Sequence, residues 1–246
     1  MTNEAHSGVT PYESELSKRV QVEQMFDRIA PRYDLLNRVL SLGIDQYWRR
    51  VLIDSLSSYP HEQILDLATG TGDVAIAAAR KLRPEKVVAT DIAAKMLDIG
   101  RVKAIYKEVA DRIDFELGDA QNLVYADNTF DAITVAFGVR NFEETIIGLK
   151  ECFRVLKPEG RIAILEFSQP QKFPFKNLYQ FYFKHILPLI GKITSQDDKA
   201  YRYLFNSVQT FPQGEEFLKV LREAGFRSTS QRKLTLGICT LYSAGK

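Results

Sequence analysis

The chain has little cysteine: Cys152 and Cys239 are the two in 246 residues, and neither belongs to a C-x-x-C pair. That excludes a disulfide scaffold and a cysteine-based zinc site. Both sit among apolar neighbours, so buried free thiols in a reducing compartment are expected, and a cytoplasmic location with them. No apolar run approaches the roughly 20 residues that a helix needs to span a bilayer. Residues Met1 to Pro11 are polar and lack the apolar stretch of a secretory signal. An excess of one charge is missing too: 33 Lys and Arg against 31 Asp and Glu give a formal net charge of +2. With the basic residues spread along the chain, the footprint of a nucleic-acid binder is absent.

What is present is an ordinary globular composition, 45% hydrophobic and 26% charged. We expect one domain over 1–246, with a helical cap at 20–57 and an aromatic insertion at 173–211. Between them the pattern alternates. Gln63 to Leu67 reads as a strand, Val74 to Lys81 as a helix, Lys86 to Asp91 as a strand and Ala94 to Val109 as a helix. Strands at Ile113 to Glu116 and Phe130 to Phe137 follow, then a helix over Glu143 to Val155. Lys157-Pro158-Glu159-Gly160 should stop that helix and turn into a strand over Arg161 to Glu166. This order predicts an α/β fold: a Rossmann-like, mostly parallel sheet with helices on both faces. A helix over Glu215 to Ala224, capped by Gly225, and strand-like runs at Ser228 to Leu234 and Gly237 to Tyr242 close the chain.

The richest segment is Asp66-Leu67-Ala68-Thr69-Gly70-Thr71-Gly72-Asp73, where the first strand meets a glycine turn and a helix begins. A nucleotide-like ligand is expected there. Gly70 to Ala75 also satisfies the loose dinucleotide pattern G-x-G-x-x-G/A, so an NAD-dependent oxidoreductase competes. Asp73 at the helix N-terminus would repel a pyrophosphate, but not S-adenosylmethionine, which has no phosphate and carries a sulfonium and an ammonium. Asp66, Asp91 and Asp119 fall at or after the ends of the first three strands and are expected to open into one crevice. Asp91 lies twenty-one residues past Gly70, near the spacing at which an acid accepts ribose hydroxyls. Asp119, followed by Ala120, would take an adenine amine while Ile92 and Met96 press on the ring; Asp66 and Asp73 would face the cationic end. Each acid also has a bland reading: Asp119 as a turn residue, Asp91 as a helix cap, Asp66 as a satisfied structural acid.

The glycine turn, the Asp91 strand end and Gly118-Asp119-Ala120 resemble the class I S-adenosylmethionine-dependent methyltransferases. That resemblance implies a seven-stranded sheet whose last hairpin supplies one antiparallel strand. Further motifs narrow it: Phe26-Asp27-Arg28-Ile29-Ala30-Pro31-Arg32-Tyr33-Asp34, Phe137-Gly138-Val139-Arg140-Asn141, Leu165-Glu166-Phe167-Ser168 and Tyr201-Arg202-Tyr203-Leu204 are similar to the C-methyltransferases of menaquinone and ubiquinone biosynthesis. The resemblance runs from about residue 20 to 240. It implies methylation of a ring carbon of a prenylated quinol, demethylmenaquinol foremost, with the dual quinone activity and another lipid as alternatives. Ala136 stands where members acting on both quinones often carry serine, which tilts the reading toward menaquinone alone.

Carbon methylation needs the neighbouring phenol near its anion, and lowering a pKa of about 10 by three units takes roughly 4 kcal/mol. Arg140 is the candidate cation, Asn141 a partner for a ring oxygen or water, and Tyr201 a third catalytic candidate. A surface pair of Arg140 with Glu143 or Glu144, and plain packing for Tyr201 and Tyr203, are the bland readings. No metal is required for the transfer. Phe175, Tyr179, Tyr182, Phe183, Ile186 and Ile190 recur at helical spacing, as a tail channel, a membrane-facing stripe or plain core. Lys172, Lys176, Lys184 and Lys192 would allow weak peripheral contact with anionic lipid. A homodimer is compatible with the sequence.

Overall fold

The computed structural model describes residues 9–12, 14–171, 173–174, 177 and 198–246. The apolar face from Phe175 to Ile190, His185 and the four lysines of that segment lie outside them, as does the side chain of Tyr201. The described chain begins with two helices, α1 (Lys18–Leu40) and α2 (Asp45–Leu56). Then come β1 (Gln63–Leu67), α3 (Asp73–Lys81), β2 (Lys86–Asp91), α4 (Ala94–Tyr106), β3 (Ile113–Leu117) and β4 (Phe130–Ala136). After α5 (Thr145–Val155) and β5 (Leu156–Phe167), the described chain closes with α6 (Asp198–Thr210), α7 (Glu215–Glu223), β6 (Arg227–Leu234) and β7 (Cys239–Gly245).

The strands form one sheet in the order β3-β2-β1-β4-β5-β7-β6. β1 to β5 are mutually parallel, and β7 runs antiparallel to both β5 and β6. The sequence expectation of one antiparallel strand in the last hairpin therefore holds. The strand expected from Arg161 begins earlier, at Leu156, and the turn expected at Lys157 to Gly160 lies inside β5 as an irregularity: Phe130 pairs with Leu156, and the ladder resumes only at Ala132 with Arg161. Glu159, at φ +64°, carries the reversal.

Successive residues of the central strands are buried on opposite faces, which is why these strands read as unbroken apolar runs. Ile64, Val87, Ala89 and Ala132 meet α2, α3 and Trp48 on one side; Leu65, Leu67, Ile133 and Ile164 meet α5 and α7 on the other. Trp48 fixes α2 to the sheet, since its indole N–H donates to Thr235 at 2.7 Å. The cysteines are free and buried, as expected, and burial pushes the Cys152 thiol up to about 12. Among the described residues no helix is long and apolar enough to cross a membrane.

Strand order reverses between β1 and β4, because β2 leads one way from β1 and β4 the other. Ligands of open α/β sheets bind outside the carboxyl ends of the strands at such a switch point. α1 lies across that edge.

Candidate active site

A crevice opens at the switch point, the place where open α/β sheets bind small molecules. Its floor is the β1 turn (Leu67, Ala68, Gly70), its walls the ends of β2 and β3 (Asp91, Ile92, Met96; Asp119, Ala120) and the end of β4 (Ala136, Phe137, Gly138, Asn141). Arg19, Val22, Phe26 and Tyr33 of α1 cover it.

The glycine turn is shaped by left-handed backbone at Gly70 (φ +57°) and Gly72 (φ +77°), which side chains disfavour. Gly72 must also lack a Cβ, which would sit 2.8 Å from the Phe115 ring. The Gly70 N–H donates to Asp91 Oδ2 at 2.7 Å, and Asp91 Oδ1 accepts from Ala93 N–H at 2.9 Å. Asp91 is not the cap of α4, whose N-cap is Ala93 without a side-chain cap bond; it braces the turn before that helix and also lines the crevice. Burial raises its pKa against these hydrogen bonds.

The strand-end acids do not all open into the crevice. Asp91 and Asp119 do; Asp66 does not line it. Asp66 is 1% exposed and turned inward, accepting from Thr69 Oγ1 (2.5 Å), Thr134 Oγ1 (2.6 Å) and Ala75 N–H (3.1 Å). Burial, opposed by those bonds, lifts its pKa to about 6. Its satisfied arrangement is that of a structural acid holding strand, turn and helix together. Thr71, Gly72 and Asp73 also stand outside the crevice wall. Thr71 donates to Asp34 at 2.6 Å, and Asp73 is paired with Lys103 and, at 3.7 Å, with Arg49. The repulsion expected of Asp73 is therefore largely offset by these cations. The acidity that a phosphate would meet comes instead from Asp91, Asp119 and Glu143. Arg19, the one cation among the described lining residues, is already paired with Asp119 at 2.7 Å.

Beyond β4 the chain turns sharply. Phe137, at φ +59°, donates its N–H to Leu165 O at 2.7 Å, and a Cβ on Gly138 would lie 2.6 Å from that of Ala68. Arg140 is buried and points to β5, with Nη1 donating to Glu166 Oε2 at 2.8 Å and to Phe137 O at 2.5 Å. Its partner is Glu166, fully buried, and not Glu143 or Glu144. The Arg140 Nε N–H is buried and has no partner among the described residues. Asn141 lines the crevice and accepts from the Tyr203 hydroxyl of α6 at 3.1 Å. Tyr203 is buried and its pKa is raised by that burial.

Next to this turn the rings of Phe137 and Phe167 stack at 4.5 Å, with Trp48 6.0 Å from each. The Arg49 guanidinium lies 5.8 Å from the Phe137 ring and that of Arg140 5.3 Å from Phe167. An acidic, phosphate-averse crevice thus adjoins an aromatic shelf flanked by two guanidiniums. Sequence reasoning assigned no role to Arg19, Glu166 or the α1 aromatics. Glu166 had a signal, a lone charge in the buried run Ile162 to Phe167.

A model of the ubiE/COQ5 methyltransferase family matches residues 14–246. A Bacteroides fragilis protein named demethylmenaquinone methyltransferase is 48% identical over 238 residues, covering 97% of each chain. One from Geotalea daltonii, named ubiquinone/menaquinone biosynthesis C-methyltransferase, is 45% identical over 93% of this chain and 97% of its own. Among solved structures, a SAM-dependent methyltransferase from Aquifex aeolicus superposes with a TM-score of 0.58 at 18% identity, over 80% of this chain and 88% of that one.

Proposed function

The chain belongs to the ubiE/COQ5 methyltransferase family, and from that premise we propose that it carries a methyl group from S-adenosylmethionine to a ring carbon of demethylmenaquinol, giving menaquinol. The protein is an S-adenosylmethionine-dependent C-methyltransferase of quinone biosynthesis. The observation that carries the ligand reading is the lining itself: three carboxylates and a guanidinium already paired suit a phosphate-free cation and repel a pyrophosphate.

In this reading Asp91 accepts from the ribose hydroxyls with its remaining lone pairs, and Gly70 lets the backbone approach closely. Asp119 and Ala120 face the adenine edge while Ile92 and Met96 pack on its plane. Asp66, Thr71, Gly72 and Asp73 act one layer back, by holding the turn. When bound, S-adenosylmethionine supplies an electrophilic methyl carbon on a sulfonium. The quinol ring packs on Phe137, the ring of this cluster that lines the crevice, and Arg140, buried behind that wall, favours its phenolate. Asn141 fixes a ring oxygen or a water, steadied by Tyr203; Tyr201 stays a candidate through its place on α6. Arginine is a poor base, so protons leave through water. Water exclusion beneath α1 and alignment of donor and acceptor supply much of the rate.

Substrate choice is the finer part of the proposal. Ala136 lines the crevice without a hydroxyl, which supports naphthoquinol over the ubiquinone precursor. A prenyl tail also calls for peripheral contact at the inner face of the membrane, while the donor comes from the cytoplasm. The test is a competition: equal amounts of reduced short-chain demethylmenaquinol and of the ubiquinone precursor, with methyl-labelled S-adenosylmethionine. Label in the naphthoquinol alone is expected; equal label in both would overturn the narrow specificity.

A further inference from the structure

The turn that follows β4, Val139 to Asn141, is a single tight helical turn. So short a piece meets few of its own carbonyls: the Phe142 N–H donates to Val139 O at 3.1 Å, and the Arg140 and Phe142 oxygens need other donors. The Arg140 oxygen, and that of Phe142 just past the turn, are met from 122 and 124 residues away. The Lys18 ammonium, itself buried, donates to Phe142 O at 2.7 Å and to Arg140 O at 3.3 Å. The contact is reciprocal. The Lys18 backbone N–H, in the first turn of α1, donates to Glu143 Oε1 at 3.0 Å. α1 has no acidic residue in its first turn, so Glu143 supplies the anion that a helix N-terminus favours. The helix that covers the crevice and the turn that bears Arg140 and Asn141 are clasped through these residues.

We propose that Lys18 is a positioning residue for methyl transfer, whose ammonium holds the 139–142 backbone so that Asn141 faces the acceptor in one arrangement, with Arg140 fixed behind it. This rests on the methyltransferase reading above. A neutral side chain of similar shape would leave two buried carbonyls unmet, and the turn would relax around the acceptor and not around the donor, whose contacts lie at β1 to β3. The effect therefore falls on kcat more than on the KM for S-adenosylmethionine.

Burial lowers the Lys18 pKa to about 8, opposed by Glu143 and Glu144 and aided by Arg140. Arg19 adjoins it on α1, and Tyr203 on α6 has its pKa raised. The free amine still donates hydrogen bonds, but uncharged ones about half as strong.

The experiment compares wild type, Lys18→Met and Lys18→Arg by steady-state kinetics from pH 6.5 to 9.5, with calorimetric S-adenosylmethionine affinity and melting curves for each. Lys18→Met should lower kcat at least tenfold with donor affinity changed less than threefold, and Lys18→Arg should restore most of it. Wild-type kcat should fall severalfold above about pH 8, and Lys18→Arg should lack that fall. Lys18→Met with kcat within twofold of wild type, or an alkaline fall retained in Lys18→Arg, overturns the role. If Lys18→Met does not fold, the pH profiles of the other two decide. No methyl transfer by wild type would instead sink the activity itself, so the two failures are distinguishable.

Discussion

Replacing Asp66 by asparagine should stabilise the protein at neutral pH and leave it unchanged near pH 4. The carboxylate is 1% exposed, and its pKa stands at about 6 in the folded chain against 3.8 in water. Above pH 4 the unfolded chain ionises Asp66 freely, while the folded chain keeps the proton until about pH 6. The folded state then binds more protons than the unfolded one, so this group's contribution to stability declines as pH rises through that window and is level beyond it. Two units amount to about 3 kcal/mol. Asparagine does not titrate and can keep its oxygen on Thr69 Oγ1 and Ala75 N–H, while the Thr134 hydroxyl rotates to accept from the new amide. Urea unfolding of wild type and Asp66→Asn at pH 4 and pH 7 measures the difference directly. Taking the difference cancels the other carboxylates. A gap between the two proteins that stays constant between these pH values would refute the reasoning, as would a variant less stable than wild type at pH 7.

Arg140→Met strands the fully buried Glu166 and should cost about 3–5 kcal/mol in urea unfolding. Arg140→Met with Glu166→Met should recover at least half of that, and simple additivity would count against a buried pair. Gly138→Ala forces a Cβ to 2.6 Å from that of Ala68, for a loss of about 1–3 kcal/mol in melting experiments. Ala68→Gly in the same chain should return most of it, since Ala68 sits at φ +54°. Asp91→Ala should weaken S-adenosylmethionine binding about a hundredfold or more by calorimetry, as two charge-assisted hydrogen bonds would go. Asp66→Asn should change it far less, and equal losses would contradict the division between a lining acid and a structural one.

These two aspartates mark how far the sequence could be read. Both end a buried strand, and both looked alike from the chain. Which one lines the crevice depends on Thr134, a strand away on β4, whose hydroxyl takes Asp66 inward. Local signals carried what is local: apolar runs gave the strands, the glycines gave the turn, and Lys157 to Gly160 gave the reversal before Arg161. Asp73 was placed correctly at a helix start, yet its charge was misjudged because Arg49 and Lys103 come from elsewhere in the chain. Arg140 was legible as a functional cation candidate, but its partner Glu166 was not. The cover over the crevice was foreseen as a cap from the amphipathic pattern before β1. That Lys18 and Arg19 would reach Phe142 and Asp119, 124 and 100 residues away, had no local trace.

The central claim is methylation at carbon, prepared by a phenolate. It is tested most directly by incubating the purified protein with trideuteromethyl S-adenosylmethionine and reduced short-chain demethylmenaquinol, then locating the label in the product by NMR and mass spectrometry. One labelled methyl on the vacant ring carbon beside the phenol is expected. Label on oxygen, or none in the quinol, would contradict it.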